Sequence, residues 1–309
     1  MSIKLPRALE RILAEPTWPG TLPRSLEKKN LGVDYDTTWA RSPGANAVRR
    51  TYQNYVSAPF THLVARPTTY GEEHLAPLDG PAIFTANHTS HLDTAIVLGA
   101  LPTRFRDKTV VAAAADYFFD RPWKAVLSSL ALGAIPVERA RVNRQSADIA
   151  AELLEDGWSL VIFPEGGRST DGWGQEFRGG AAYLAKRCNV PVVPIHLRGV
   201  RPIFPKGSGR IRPGSVEIRF GLPLTPQKAE TEGGRDEDSR RFAERIERAV
   251  ATLGDEAESD WWSARRRYFA GETPEFRGPD AASWRRAWSL PDSAQRSPRR
   301  PRSEKKIPW

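Results

Sequence analysis

The sequence predicts an α/β fold: a largely parallel sheet flanked by helices, with an N-terminal helical segment and a basic, Trp-rich C-terminal extension. Two observations point there. Short apolar segments alternate with helical stretches of about ten residues, the grammar of parallel strands with crossover helices. The strand segments are apolar almost throughout, as strands buried on both faces are. In chain order, the Pro- and charge-rich residues 1–45 read as a loosely packed arm. Residues 45–65 (ANAVRRTYQNYVSAPFTHLVA) space Val48, Tyr52, Tyr55 and Val56 along one helical face, with Pro59 expected to end or kink the helix. PAIFTANH (81–88) reads as a strand, 92–101 as a helix, KTVVAAAAD (108–116) as a strand and 123–132 as a helix. Residues 145–157 form a helix closed by Gly157 at C′. WSLVIFP (158–164) is a strand, 178–188 a helix, VPVVPIHLRG (190–199) a strand entered through Pro191, SVEIRFG (215–221) an alternating late strand, and 236–253 a last helix. The organisation is an arm (1–45), an α/β domain (46–255), a Trp/Arg-rich extension (256–291) and a basic tail (292–309) whose Pro, Ser and Arg content predicts disorder.

Composition narrows the class. The 309 residues carry 46 basic and 37 acidic side chains, ten Trp and one Cys. A lone Cys188 excludes a disulfide framework and any CxxC metal or redox site. The longest apolar run, Ala125–Val137, is about 13 residues against the roughly 20 needed to span a bilayer. The N-terminus lacks the continuous apolar core of a signal peptide. Residues 261–309 hold 12 basic and 5 acidic residues and five of the ten Trp, so most of the net +9 lies beyond residue 260. A basic protein generally meets phosphate, in nucleic acid, lipid headgroups or a phosphorylated substrate.

There is no P-loop, GxGxxG turn or GxSxG elbow. His88 and His91, three apart, could begin a metal site, but no third ligand is in view and no metal or cofactor is expected. Four patterns fall at strand ends or turns. In NHTSHLD, His88 ends a strand and Asp93 lies in the first turn of the next helix, close enough to orient the imidazole as a general base. Ser90 and Asp93 also match a capping box, which needs no catalysis. GAIPVER places Arg139 after a buried turn. FPEGGRS follows a strand, with glycines for close ligand approach and Arg168 for bidentate phosphate binding. VPVVPI alone says only that a proline starts a strand.

In this order and spacing the four patterns resemble the blocks of the glycerolipid acyltransferase family, which includes the lysophosphatidate acyltransferases. The resemblance covers about residues 60–225. Two positions depart from it: Gly167 stands where Thr is common, and Pro136 where an aromatic is common. The resemblance implies an α/β domain of mixed strand direction. It implies His88 as base and Asp93 as its orienting partner in direct transfer from an acyl thioester, with Arg139, Glu165 and Arg168 anchoring the acceptor's glycerol phosphate. Asn87 would fix the strand-to-helix turn, and Gly133, Gly166, Gly167, Ser169 and Pro194 complete the implied binding set. Cys188 falls in a helix and reads as core.

The expected partners are acyl-CoA or acyl carrier protein as donor, a lysophospholipid acceptor and an anionic membrane surface at the cytoplasmic face, reached peripherally. Glycerol 3-phosphate or another hydroxylated (glyco)lipid is the alternative acceptor. WWSARRRYF (261–269), WRRAW (284–288) and the aromatic face of 46–65 are candidate membrane contacts, although tryptophans of the extension could equally pack back on the domain. The rival classes are a nucleic-acid binder, with arginines and aromatics gripping phosphates and bases, and a non-catalytic lipid-binding relative. The catalytic blocks speak against both, and no nucleic-acid partner is expected.

Overall fold

The computed structural model describes residues 32, 34–138, 144–169, 172–204, 210–227 and 235–277. Most of the arm, Arg139, and the extension and tail from residue 278 lie outside them. Helices of eight residues or more are α1 (Pro43–Tyr52), α2 (Ala58–Ala65), α3 (Asp93–Ala100), α4 (Pro122–Leu132), α5 (Arg144–Glu155), α6 (Gly180–Cys188), α7 (Arg235–Glu258) and α8 (Trp261–Ala270). The strands are β1 (Pro67–Tyr70), β2 (Ile83–Ala86), β3 (Thr109–Ala114), β4 (Ala134–Val137), β5 (Ser159–Ile162), β6 (Val192–Arg198) and β7 (Val216–Phe220).

They form one mixed sheet in the order β1-β7-β6-β2-β5-β3-β4. Every neighbouring pair is parallel except β6 and β7. Successive side chains of a strand enter opposite layers. Phe84 of β2 packs with Ile96 and Val97 of α3, while Ile83 packs with Leu154 of α5 and Phe242 of α7. Burial on both faces explains the unbroken apolar strands.

Most predicted elements lie within a few residues of their expected limits. Gly157 takes φ +81°, with Trp158 N–H donating to Leu153 O (2.8 Å) and Gly157 N–H to Leu154 O (3.1 Å), a Schellman closure of α5. β1 and α8 were not expected as elements, and other features differ too. GAIPVER is not a turn: residues 134–137 form β4, and Pro136 is tolerated because β4 is an edge strand. Pro59 does not end its helix, because Gln53–Ser57 form a π turn that passes the chain from α1 into α2. α7 runs on to Glu258, past the expected end of the last helix at residue 253.

The α1–α2 segment is inverted in polarity. Arg49 and Gln53 are buried, while Val48, Tyr55, Val56 and Leu63 face solvent. Arg49 explains the docking. Its guanidinium donates to Asn46 Oδ1 (2.8 Å), Leu130 O (3.1 Å), Ser129 O (3.2 Å) and Ala40 O. Two of these are carbonyls in the last turn of α4, the negative end of that helix dipole. Burial lowers the Arg49 pKa to about 10, which leaves it charged at neutral pH. Arg49→Met keeps the apolar stem but removes its donors from Ala40 O and Leu130 O, while Ser129 O keeps the Gly133 N–H (3.1 Å). It should destabilise the protein by about 3 kcal/mol, read as a lower urea midpoint.

Candidate active site

β2 and β5 are parallel neighbours, with Thr85 opposite Ile162. Continuing that register past the strand ends brings the NHTSHLD loop level with FPEGGRS. The chain leaves β2 toward β3 and leaves β5 toward β6, in opposite directions across the sheet, which opens a crevice at the carboxyl ends of these strands. Asn87 holds the departure point. Its amide donates to Leu197 O (2.9 Å) and its carbonyl accepts Leu197 N–H (2.7 Å), replacing the backbone ladder where β2 peels away.

His88 follows, with its Nδ1 2.9 Å from Asp93 Oδ2. The same carboxylate oxygen accepts Thr89 N–H (2.6 Å) and Ser90 N–H (2.8 Å). Asp93 is wholly buried, and its Oδ1 has no hydrogen-bond partner among the described residues. The carboxylate that meets the imidazole thus also holds the turn ahead of α3. Nδ1–H donation to Asp93 leaves the Nε2 lone pair for a substrate, on a side chain 20% exposed. The imidazole stacks on Phe163, with centroids 4.2 Å apart and planes 23° from parallel.

Glu165 takes a different place from the one expected. It is buried, its Oε1 accepts His88 N–H (2.7 Å), and its Oε2 accepts Gln175 N–H (3.1 Å). Burial raises its pKa well above the usual carboxylate range, and the two N–H donors oppose that shift. Each carboxylate oxygen accepts one backbone N–H, so Glu165 holds the His88 backbone in place. From the other side, Ser169 N–H donates to His88 O (2.8 Å). Gly166 has φ +71°, and a Cβ there would lie 2.8 Å from the Arg178 guanidinium carbon. Gly167 has open space where a Cβ would project.

Arg168 is half-buried beside the dyad. Partial desolvation, then the charges of Arg168 and His88, lower His91 to about 4 although its ring stays open to solvent, so it is neutral at physiological pH. Among the described residues, no group of three His, Cys, Asp or Glu could hold a metal. An open pocket of about 400 Å³ adjoins the site, walled by Glu165, Gln175, Phe177, Arg178 and Arg240.

The structure therefore gathers Asn87, His88, Asp93, Glu165, Gly166, Gly167, Arg168 and Ser169. It does not bring Gly133 or Pro194 to them. Gly133 caps α4 at φ +67° ahead of β4, so it sits at the opposite edge of the sheet, 3.0 Å (as a built Cβ) from Thr109 O at the start of β3. Pro194 is buried within β6 beside Thr85, beneath the loop layer. Arg139 lies outside the described residues. Phe163 and Gln175 went unnoticed in the sequence. Phe163 opens FPEGGRS, whereas Gln175 meets the site through its backbone N–H on Glu165 and its side-chain amide on Gly167 O (3.3 Å).

Residues 66–198 match the family model described as Acyltransferase. Over 191 residues the chain is 31% identical to the chloroplastic 1-acyl-sn-glycerol-3-phosphate acyltransferase BAT2 of Brassica napus, spanning 59% of this chain and 53% of that protein. It is 28% identical over 193 residues to the alpha form of 1-acyl-sn-glycerol-3-phosphate acyltransferase of Homo sapiens, spanning 62% and 64%. The chain thus spans about half the length of the plant relatives it matches. The crystal structure of the 1-acyl-sn-glycerophosphate (LPA) acyltransferase PlsC from Thermotoga maritima superposes with a TM-score of 0.52 at 25% identity, covering 75% of this chain and 86% of that one. The segment from Arg66 to Arg198, the part of the chain that matches the Acyltransferase family model, carries β1 to β6 and the His88–Asp93 dyad.

Proposed function

We propose that the protein transfers a fatty acyl group from an acyl thioester, acyl-CoA or acyl carrier protein, to the free hydroxyl of 1-acylglycerol 3-phosphate, giving phosphatidate. The observation that carries this reading is the His88–Asp93 dyad, held at the crevice between β2 and β5 with Arg168 beside it. His88 Nε2 takes the hydroxyl proton while Asp93 stabilises the resulting imidazolium. The oxygen attacks the thioester carbonyl, an acyl–oxygen bond replaces the acyl–sulfur bond, and the thiolate leaves with the proton returned by His88. No acyl-enzyme is needed. Cys188 ends α6 ahead of β6, at the sheet edge opposite the dyad, and burial raises its thiol pKa. Arg168 is assigned the acceptor phosphate.

Among the described residues, no helix is long and apolar enough to cross a membrane. A bilayer acceptor is then met by peripheral contact, and two surfaces suit it. The α1–α2 segment exposes Tyr55 (78%) and Leu63 (73%). On α8, Trp262 and Phe269 are exposed, and Arg265 and Arg266 share their face by i, i+3, i+4, i+7 spacing. The opposite face of α8 docks on α7 through buried Ala264 and the Arg267–Asp255 pair (2.6 Å). This is the arrangement of an interfacial helix on an anionic surface. Trp284 and Trp288 lie outside the described residues.

His88→Ala should lower kcat by roughly 10²–10⁴-fold with an unchanged circular dichroism spectrum, in a mass-spectrometric acceptor screen using one labelled thioester. Arg168→Ala should raise the KM for acceptor more than for thioester. An unchanged acceptor KM removes Arg168 from the phosphate site. Glu165→Gln turns an amide NH2 toward one of two backbone donors, so kcat should fall by about 10-fold or more. In vesicle flotation, R265E/R266E should weaken binding to anionic vesicles by at least about 10-fold while sparing neutral ones, and Y55S/L63S should weaken both. Undiminished flotation of both variants would sink the peripheral-contact reading.

A further inference from the structure

Beyond the family domain, the chain returns to the site. After α8, residues 272–277 run back over the loop that joins FPEGGRS to α6. Phe276 O accepts Gly174 N–H (3.0 Å). The Phe276 ring covers Gly174 so closely that a Cβ there would lie 1.9 Å from it, and it meets Phe177 edge-on at 5.3 Å. Arg277 forks onto Glu247 of α7, Nε at 2.8 Å and Nη2 at 3.1 Å. Glu247 Oε2 in turn accepts Phe177 N–H (2.8 Å). Between these two anchored amides, Gln175 N–H donates inward to Glu165, the carboxylate that holds the His88 backbone.

We propose that Phe276 and Arg277 are positioning residues for the active site: a C-terminal clasp that fixes loop 174–177 and, through Gln175 and Glu165, the place of His88. The loop alternates its allegiance. The amides of Gly174 and Phe177 belong to the clasp and its Glu247 partner, and the amide of Gln175 belongs to the site. Arg277 neutralises Glu247 where that carboxylate is largely buried. The fork is geometric as well as electrostatic, because two parallel N–H donors fix the direction of the carboxylate and so of the Phe177 amide. Gly174 is the counterpart in the loop, since any side chain there would expel the Phe276 ring. The clasp also backs the open pocket beside Glu165, whose wall includes Gln175 and Phe177.

The effect on turnover rests on the acyl-transfer reading, and the clasp itself does not. In the full-length protein, Phe276→Ala and Arg277→Ala should lower kcat by about 10-fold or more, well below their melting temperatures, with the KM for thioester within about two-fold of wild type. Arg277→Lys, which keeps the charge and loses the fork, should recover part of that loss. Hydrogen exchange should quicken at the amides of Gly174, Gln175 and Phe177 in the Ala variants. Wild-type kcat in a stably folded Ala variant, or unchanged exchange at those three amides, would overturn the proposal. A wild-type protein inactive on every acceptor would remove the acyl-transfer reading alone, because exchange reads the clasp without substrate.

Discussion

The site depends on one hydrogen-bonded bridge, from the His88 backbone N–H to the buried Glu165 carboxylate. β2 and β5 are separated by more than 70 residues of chain, yet they lie side by side and end together. Parallel pairing carries the two loops to the same edge, but the ladder stops at the strand ends and leaves the loops unlinked. Glu165 supplies the missing link. It accepts one N–H from its neighbouring loop and one from its own, and so continues the sheet's bonding by a side chain. A buried carboxylate is costly, as its raised pKa shows. That cost is offset only while both donors are in place, so the bridge holds His88 and Gln175 or fails as a unit.

Asp93 resolves a conflict between two readings of the same residue. Its Oδ2 accepts two backbone N–H groups ahead of α3 and also meets the imidazole. These donors fix the carboxylate's position before any substrate arrives. The turn ahead of α3 and the orientation of the imidazole therefore rest on one oxygen atom. Replacing Asp93 would disturb both, which is why the dyad is more cleanly interrogated at His88, whose side chain carries no such cap. Phe163 adds the third constraint by stacking on the ring, so the imidazole is fixed by its edge and by its face.

Much of this was legible in the sequence, and what was not has definite causes. Apolar runs bounded by turns located β2, β3, β5, β6 and β7, and Gly157 marked the end of α5 through its need for positive φ. β4 was hidden by Pro136, because proline forbids a central strand but not an edge one, and sheet order is not written locally. α8 was read as a run of tryptophans and arginines, though Asp260 accepting Ser263 N–H (3.0 Å) is an ordinary cap. At the site, the four-residue gap between His88 and Asp93 in NHTSHLD foreshadowed their contact. The two backbone amides on Glu165 come from separate loops, which residue type does not record. Gly133 was read as a block residue, and its positive φ serves a helix cap at the far edge of the sheet.

The distribution of charge now has a structural meaning. Residues 1–260 carry a nearly balanced charge, so the proposed phosphate contact in the α/β domain calls for placed arginines and no general field. Among the described residues, the arginines of the extension divide by geometry. Arg267 and Arg277 are used internally, on Asp255 and Glu247, and fasten the extension to α7. Arg265 and Arg266 share a helical face with Trp262 and Phe269 by their spacing, and the Arg265 guanidinium lies 5.6 Å from the centre of the Trp261 ring. The two pairs need each other. A helix that meets a surface through its outer face can act on the domain only if its inner face is fixed to it. The inner ion pairs therefore couple α8 to the strap that closes over loop 174–177, and the extension is joined to the dyad through hydrogen bonds that can each be removed.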